Sequence, residues 1–273
     1  MKLSIIVPCY NEEETIKDLL QHLFNIHFPI DREIIVVDDG SKRNLGEIIG
    51  EEINSNKIKF IRLSKNQGKG MAIRVGLKYA TGDIFIIQDA DLEYYPLDIP
   101  KLIKPILNNE INVVYGSRFF IKPKNTLRFH NIGNKVLTKL TNLLYNVKLT
   151  DMETGYKVFS RKVLNGLKLT AREFEFEPEI TAQIILNGYK IKELPINYQV
   201  REFDHAKINF LDGFEAVFVL LKYRYFYNSK LFNFLFNTYK FHFKKIANKI
   251  IVIFKGFIAW IRRVLSDIAD CLL

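Results

Sequence analysis

The first 120 residues alternate short apolar runs with amphipathic stretches, and several of the apolar runs stop abruptly at a polar cluster. Runs near Leu3–Pro8, Glu33–Asp38, Lys57–Leu63, Asp83–Asp89 and Asn112–Ser117 have the length and β-branched content of strands. The stretches Glu12–Asn25, Leu45–Asn54, Gly68–Ala80 and Leu97–Leu107 carry helical spacing. Such alternation predicts a mostly parallel α/β sheet covered by helices on both faces. In open sheets of this kind ligands bind at the carboxyl ends of the strands. Pro8, the Asp38-Asp39-Gly40-Ser41 loop, Asn66-Gln67-Gly68 and the Asp89 loop all fall on that edge. Their coincidence says more than any one of them.

Asp89 and Asp91 stand two apart, directly after the run Ile84–Ile87. In extended backbone, side chains at i and i+2 point the same way. Two acids forced together there repel unless a cation sits between them. Oxygen-only ligation by so little protein suits Mg²⁺ or Mn²⁺, with water and phosphate completing the shell. A lone Asp-x-Asp is more often a solvated acidic turn; the other clusters on the same edge favour the metal. Gly68-Lys69-Gly70 opens a helix, so its N–H groups and Lys69 could face phosphate. It is no P-loop, because Leu63 stands where a glycine is needed and Met71 replaces the hydroxyl residue.

Beyond residue 120 the pattern loosens. Helices are expected over Asn131–Tyr145, Glu177–Asn187 and Phe210–Tyr227, and strands over Tyr156–Phe159 and Lys190–Val200. A boundary near Asn228 divides a body, residues 1–228, from a tail, 229–273. The net charge of +10 arises near this boundary, since Lys222–Arg263 holds ten Lys or Arg and no acid. Placed on a helix, the tail segregates Lys240, Lys244, Lys249 and Arg262 from Phe243, Ile250, Phe257 and Trp260. So greasy a face does not suit a nucleic-acid arm and fits an anionic membrane surface. A helix packed on the body or on a second subunit is the alternative. The longest uncharged run of the tail, Leu231–Tyr239, is far short of the roughly 18–20 residues that span a bilayer. Met1-Lys2 leads straight into a strand, which predicts no secretory leader. Cys9 and Cys271 have no zinc or redox spacing and read as free thiols in a reducing compartment.

Ile6-Val7-Pro8-Cys9-Tyr10-Asn11-Glu12, Val37-Asp38-Asp39-Gly40-Ser41, Asn66-Gln67-Gly68-Lys69-Gly70, Gln88-Asp89-Ala90-Asp91 and Gly116-Ser117-Arg118 together resemble the family-2 glycosyltransferases with the GT-A fold. Arg128-Phe129-His130-Asn131, Asp151-Met152-Glu153-Thr154-Gly155-Tyr156-Lys157, Phe176-Glu177-Pro178-Glu179 and the Lys207 region narrow this to the branch making dolichol-phosphate mannose and glucose. The resemblance covers residues 1–228 in order and leaves the tail unmatched. It implies a Rossmann-like, mixed but mostly parallel sheet, with the C-terminal amphipathic helices lying on a membrane. Pro8, Tyr10, Asn11 and Glu12 would line the nucleotide; Asn11 and Glu12 also suit a helix start. Asp39 would meet the base, and Lys69 and Lys207 would sit near the phosphates. Asp89 and Asp91 would hold the metal, with Glu93 a third ligand where the branch often has Gln. Arg118 and Arg128 would contact the acceptor phosphate, with Asn131 nearby. Around Lys207 the chain reads Asp204-His205-Ala206-Lys207-Ile208 in place of the usual Gly-x-Ser-Lys.

The implied reaction transfers one sugar, with inversion, from a nucleoside diphosphate sugar to a polyprenyl or dolichyl phosphate. It would occur at the cytoplasmic face of a membrane, held peripherally. A phosphate acceptor is already an anionic nucleophile, since its second pKa is about 6. A hydroxyl acceptor, the alternative, needs a base, and Glu153 or Glu179 are the candidates. A membrane-binding protein with a dead fold is a third reading, opposed by the intact Asp89, Asp91, Arg118 and Lys69. A nucleotidyltransferase is weaker, because no glycine-rich phosphate signature opens the chain.

Overall fold

The computed structural model describes residues 1–120, 128–199 and 210–226, except the side chains of 128–132, 210–212 and 226. Seven strands form one sheet: β1 (Lys2–Cys9), β2 (Asp31–Asp38), β3 (Lys59–Arg62), β4 (Ile84–Ile87), β5 (Val113–Ser117), β6 (Lys157–Ser160) and β7 (Lys192–Pro195). Their spatial order is β3-β2-β1-β4-β6-β5-β7. Strands β1 to β4 run parallel, as do β5 and β7, while β6 is antiparallel to both β4 and β5. Residues Met1–Arg224 make one compact unit.

The unbroken apolar runs of the central strands follow from burial on both faces. Ile5, Val7, Ile34, Val36, Ile84 and Ile86 point to one face, where they meet Leu19, Leu20 and Leu23 of helix α1 (Ile16–Asn25). Their alternates Ile6, Ile35, Val37, Phe85 and Ile87 point to the other, against Ala72, Ile73 and Leu77. Those three lie on helix α4 (Lys69–Tyr79). Neither face of the central strands therefore has room for polar chemistry.

Several expected elements differ in detail. The helix expected from Glu12 starts at Ile16, because Asn11 has φ 54° and residues 12–15 form a turn closed by Ile16 N donating to Glu12 O at 3.1 Å. The Leu45–Asn54 helix breaks at Ile49 into α2 (Leu45–Ile48) and α3 (Gly50–Asn54), with Gly46 and Gly50 lowering helix propensity. A 3₁₀ turn, Pro96–Asp98, precedes α5 (Ile99–Leu107). Helix α6 spans Arg128–Tyr145, and α7 (Arg161–Gly166) was not expected. Helix α8 is Phe176–Leu186 and α9 is Phe210–Leu221, followed by a π-helical turn, Lys222–Phe226. The long strand expected to Val200 ends at Pro195, which has no N–H for the ladder.

The antiparallel setting of β6 matters most for the site. Its entry, not its exit, lies beside the carboxyl ends of β4 and β5: Ile86 pairs with Val158 and Tyr115 with Lys157. Residues 151–156 are thereby delivered to the edge where the other loops gather.

At the opposite edge a single carboxylate ties three segments together. Glu33 accepts Ser4 Oγ at 2.6 Å, Thr81 N at 2.6 Å, Lys2 Nζ at 3.0 Å and Lys59 Nζ at 2.9 Å. Burial opposes its charge, but the bonds from Ser4, Thr81, Lys59 and Lys2 outweigh burial and hold the carboxyl well below its ordinary 4.5. Below pH 4.5 the unfolded chain then binds more protons than the folded one, so stability falls as pH falls through that window. Glu33→Gln should cost about 1–3 kcal/mol at neutral pH, the scale of charged hydrogen bonds. Urea unfolding at stepped pH should also show a shallower acid decline for this variant; an unchanged slope would refute the assignment.

Candidate active site

The carboxyl edge of the sheet is built from the ends of β1, β2, β4 and β5 and the entry to β6. After β1, Tyr10 is exposed and Asn11 is fixed across to the next loop. Asn11 N donates to Ser41 Oγ at 2.9 Å, and Asn11 Oδ1 accepts Lys42 N at 3.0 Å. Glu12 is buried and accepts Thr15 Oγ1 at 2.9 Å, a helix-start role. After β2, Asp38 binds Arg62 at 2.9 Å and Ser41 N at 2.9 Å. Asp39 is buried, with one oxygen accepting Gln67 N and the other Gly68 N, each at 2.8 Å. Burial pushes the Asp39 carboxyl up, against the pull of those two N–H groups.

Those bonds also close the start of α4. Gly68 has φ 101°, a conformation that favours glycine, and a Cβ there would collide with the carbonyl of Arg172. Met71 N donates to that same carbonyl at 2.9 Å. The N–H groups of Gln67, Gly68 and Met71 are thus engaged within the protein. Helix α4 also presents the ammonium of Lys69 to the edge.

Lys69 Nζ lies 2.8 Å from Asp89 Oδ1, 3.1 Å from Asp89 Oδ2 and 3.2 Å from Glu177 Oε1. Burial acts against its charge, but Asp89 and Glu177 together hold it well above the ordinary lysine range. Asp89 is wedged from behind by Gly155, where any Cβ would press on Asp89 Oδ2. Gly155 N in turn donates to Tyr94 Oη at 2.8 Å. Asp91 Oδ1 accepts Glu93 N at 3.2 Å across Leu92, whose φ of 62° is uncommon for a side-chain-bearing residue. Glu93 Oε2 accepts the Tyr198 hydroxyl at 2.6 Å.

Arg118 follows β5. Its Nε and Nη2 donate to the two oxygens of Asp151 at 2.7 Å each, and Arg118 N adds a bond at 3.1 Å. The guanidinium also stands 5.3 Å from the centre of the Tyr198 ring. This side-chain pairing uses two of the five N–H donors of the fork. Asp151 is fully buried and engaged with Arg118, which leaves Glu153 as the neighbouring carboxylate with spare capacity. Glu153 Oε1 is buried with no partner, as is Glu177 Oε2. Burial, then the charge of Glu177, push the Glu153 carboxyl up. Lys157 is fully buried, donating to the carbonyls of Met152 and Thr154, and burial pulls it down.

Glu179, the other candidate base, is a structural acceptor. It takes Thr170 N at 2.9 Å, Thr170 Oγ1 at 2.6 Å, Ala171 N at 2.8 Å and the Tyr223 hydroxyl at 2.6 Å. A further group, Glu173, Glu175 and Glu215, brings carboxylate oxygens within 4.8 Å of one another. Glu175 accepts Glu173 N at 3.1 Å there. Arg128 and Asn131 head α6, but their side chains, like Lys207 and the whole of the tail, lie outside the described residues.

The structure thus brings Lys69, Asp89, Arg118 and Glu153 to one edge. It adds Tyr94, which no motif named, and brings in Glu177, Gly155 and Lys157 from the quoted motifs, whose contacts no local spacing announces. The partners Lys69 and Glu177 are 108 positions apart, and only the packing of α8 against the sheet joins them.

Residues 4–167 match the family model described as glycosyl transferase family 2. The chain is 35% identical over 244 residues to the UDP-N-acetylglucosamine–dolichyl-phosphate N-acetylglucosaminyltransferase of Methanococcus voltae, covering 80% of this chain and 94% of that one. It is 30% identical over 216 residues to the dolichol-phosphate mannosyltransferase of Pyrococcus furiosus, covering 76% of this chain and 59% of the relative. The crystal structure of glucosyl-3-phosphoglycerate synthase from Mycobacterium tuberculosis with Mn²⁺ and UDP-glucose superposes with a TM-score of 0.65. That match has 21% identity and covers 82% of this chain and 79% of the other. The fold is GT-A. The chain belongs to glycosyl transferase family 2, in the branch of the polyprenyl-phosphate sugar transferases, and is a glycosyltransferase.

Because Gly155 leaves room for Asp89 and nothing larger fits, Gly155→Ala should displace that carboxylate. Sugar transfer should then fall about a hundredfold, the cost of roughly 1 Å of misplacement. Full activity in a folded variant would show that Asp89 is not held by this contact.

Proposed function

We propose that the protein moves one sugar, with inversion, from a nucleoside diphosphate sugar to the phosphate of a membrane polyprenyl or dolichyl lipid, and that it requires Mg²⁺ or Mn²⁺. The observation that carries this reading is the likeness to a transferase named for dolichyl phosphate, which extends over 94% of that relative. Asp89 and Asp91 fit a divalent ion. Their donors are hard oxygens, Asp89 already holds a cation in Lys69, and Glu177 nearby keeps a buried oxygen without a partner. Bound there, the ion would neutralise charge developing on the departing diphosphate.

The chain's own residues supply position. Lys69 offers a positive charge beside Asp89, and Tyr10, Asn11, Glu12 and Asp39 would line the nucleotide. Arg118, locked by Asp151, would present its remaining N–H donors to the acceptor phosphate, joined by Arg128 and Asn131 from the head of α6 and by Lys207. A phosphate oxyanion held by arginines attacks without a base. Glu93, whose Oε2 accepts the Tyr198 hydroxyl, would offer the metal its remaining acceptor sites.

One observation favours a second reading, transfer to a hydroxyl. Glu153 keeps an unpartnered oxygen and a raised affinity for a proton, as a base requires. The test is a screen of nucleotide sugars with Mn²⁺ against a short-chain polyprenyl phosphate. Product should form, Arg118→Gln should cost about a hundredfold or more, and Glu153→Gln should stay within about tenfold. A loss of roughly a thousandfold at Glu153 would favour the hydroxyl acceptor.

A lipid acceptor requires a membrane-facing surface. Helix α6 exposes Val136 and Leu143 beside Lys135 and Lys139, and α9 exposes Phe214. Among the described residues no helix is long and apolar enough to cross a membrane. The basic tail would add the main attraction to anionic lipid at the cytoplasmic face. Removing residues 229–273 should therefore abolish most salt-sensitive binding to anionic vesicles. Unchanged partitioning in a sedimentation assay would rule the tail out as anchor.

A further inference from the structure

Lys69 straddles both oxygens of Asp89, at 2.8 Å and 3.1 Å, and so occupies the carboxylate that the proposed function assigns to a divalent ion. A dication bound to Asp89 would repel an ammonium pressed against both oxygens of the same carboxylate, which favours displacement of one of them. The backbone around Lys69 is fixed, since Gly68 abuts Arg172 and Met71 N bonds its carbonyl at 2.9 Å. Asp89 has little room to retreat on one side, where Gly155 lies close to its Oδ2. The lysine stem, with its four carbons, is the flexible element.

A second acceptor stands ready. Glu177 Oε1 already touches the ammonium at 3.2 Å, and Glu177 Oε2 is buried with no donor. An orphaned buried carboxylate oxygen is costly, and an ammonium carries three donors. Lys157 already donates to the carbonyls of Met152 and Thr154 and has at most one donor left, whereas Lys69 already touches Glu177 at 3.2 Å. Lys69 is therefore the cation within reach that can satisfy Glu177 more fully.

We propose that Lys69 is an exchangeable counter-ion. In the metal-free protein its ammonium is shared by Asp89 and Glu177; when Asp89 takes a divalent ion, Lys69 withdraws onto Glu177 alone. The displaced ammonium then keeps a carboxylate partner after the ion binds. Glu177, which need not touch the metal, sets the metal affinity by giving the displaced lysine somewhere to go. This inference rests on the reading of Asp89 and Asp91 as metal carboxylates.

The test is Mn²⁺ binding to the full chain, followed by electron paramagnetic resonance and calorimetry with no nucleotide present. Five proteins are compared: wild type, Asp91→Asn, Lys69→Met, Glu177→Gln and the Lys69→Met/Glu177→Gln double variant. Asp91→Asn should nearly abolish binding; if it does not, the metal reading itself fails and the inference with it. Given that control, Lys69→Met should tighten Mn²⁺ and Glu177→Gln should weaken it, each by at least about fivefold, the low end of ordinary site couplings. In the Lys69→Met background, Glu177→Gln should change affinity by less than about twofold, within additivity error. An equal weakening in both backgrounds would overturn the exchange, because Glu177 would then act only through its field. Unchanged affinity in Lys69→Met would overturn it as well. Should that variant melt early, Lys69→Arg serves instead: its fork would grip Asp89 in two bonds and weaken Mn²⁺, and unaltered binding would count against the exchange.

Discussion

Burial of the central sheet on both faces is the constraint from which the rest follows. With Ile5, Val7 and Ile86 packed to one side and Ile6, Val37 and Phe85 to the other, the interior admits no chemistry. Polar side chains within the central strands are few, Ser4 and Glu33 among them, and most collect where the strands stop. The carboxyl edge is thus crowded with charge: Asp38, Asp39, Asp89, Asp151, Glu153 and Glu177 on one sign, and Arg62, Lys69, Arg118 and Lys157 on the other.

Crowding of that kind is tolerable only when each charge has a partner. Asp38 has Arg62, Asp151 has Arg118, Asp89 has Lys69, and Asp39 has two backbone N–H groups. Such pairs add little net stability, because desolvation offsets attraction, but losing one partner costs about 3–5 kcal/mol. Their value here is geometric. Arg118 is held in one orientation by both oxygens of Asp151 before any ligand arrives, which is what a positioning site requires. Glu153 and Glu177, with unpartnered oxygens, mark where that balance is left incomplete.

Antiparallel β6 completes the arrangement. Had it run with its neighbours, residues 151–156 would lie at the far edge beside Glu33. Running against them, it delivers Asp151 to Arg118, Gly155 to Asp89, and Glu153 to the neighbourhood of Glu177. Helix α8 then brings Glu177 up from the other side.

The amino-acid sequence alone determined the alternation of elements, the both-sides burial of β1, β2 and β4, and the edge on which Pro8, Asp39, Lys69 and Asp89 gather. Those are consequences of hydrophobic period and of where each run stops, both local properties. The motifs were also enough to indicate the family. Tertiary structure decided what these side chains touch. That Lys69 bridges Asp89 and Glu177, that Glu179 holds a turn while Glu153 stays unpaired, and that Gly68 closes the α4 terminus on Arg172 all depend on strand direction and helix docking. Contacts between residues a hundred positions apart leave no periodic trace, so packing geometry alone could assign them.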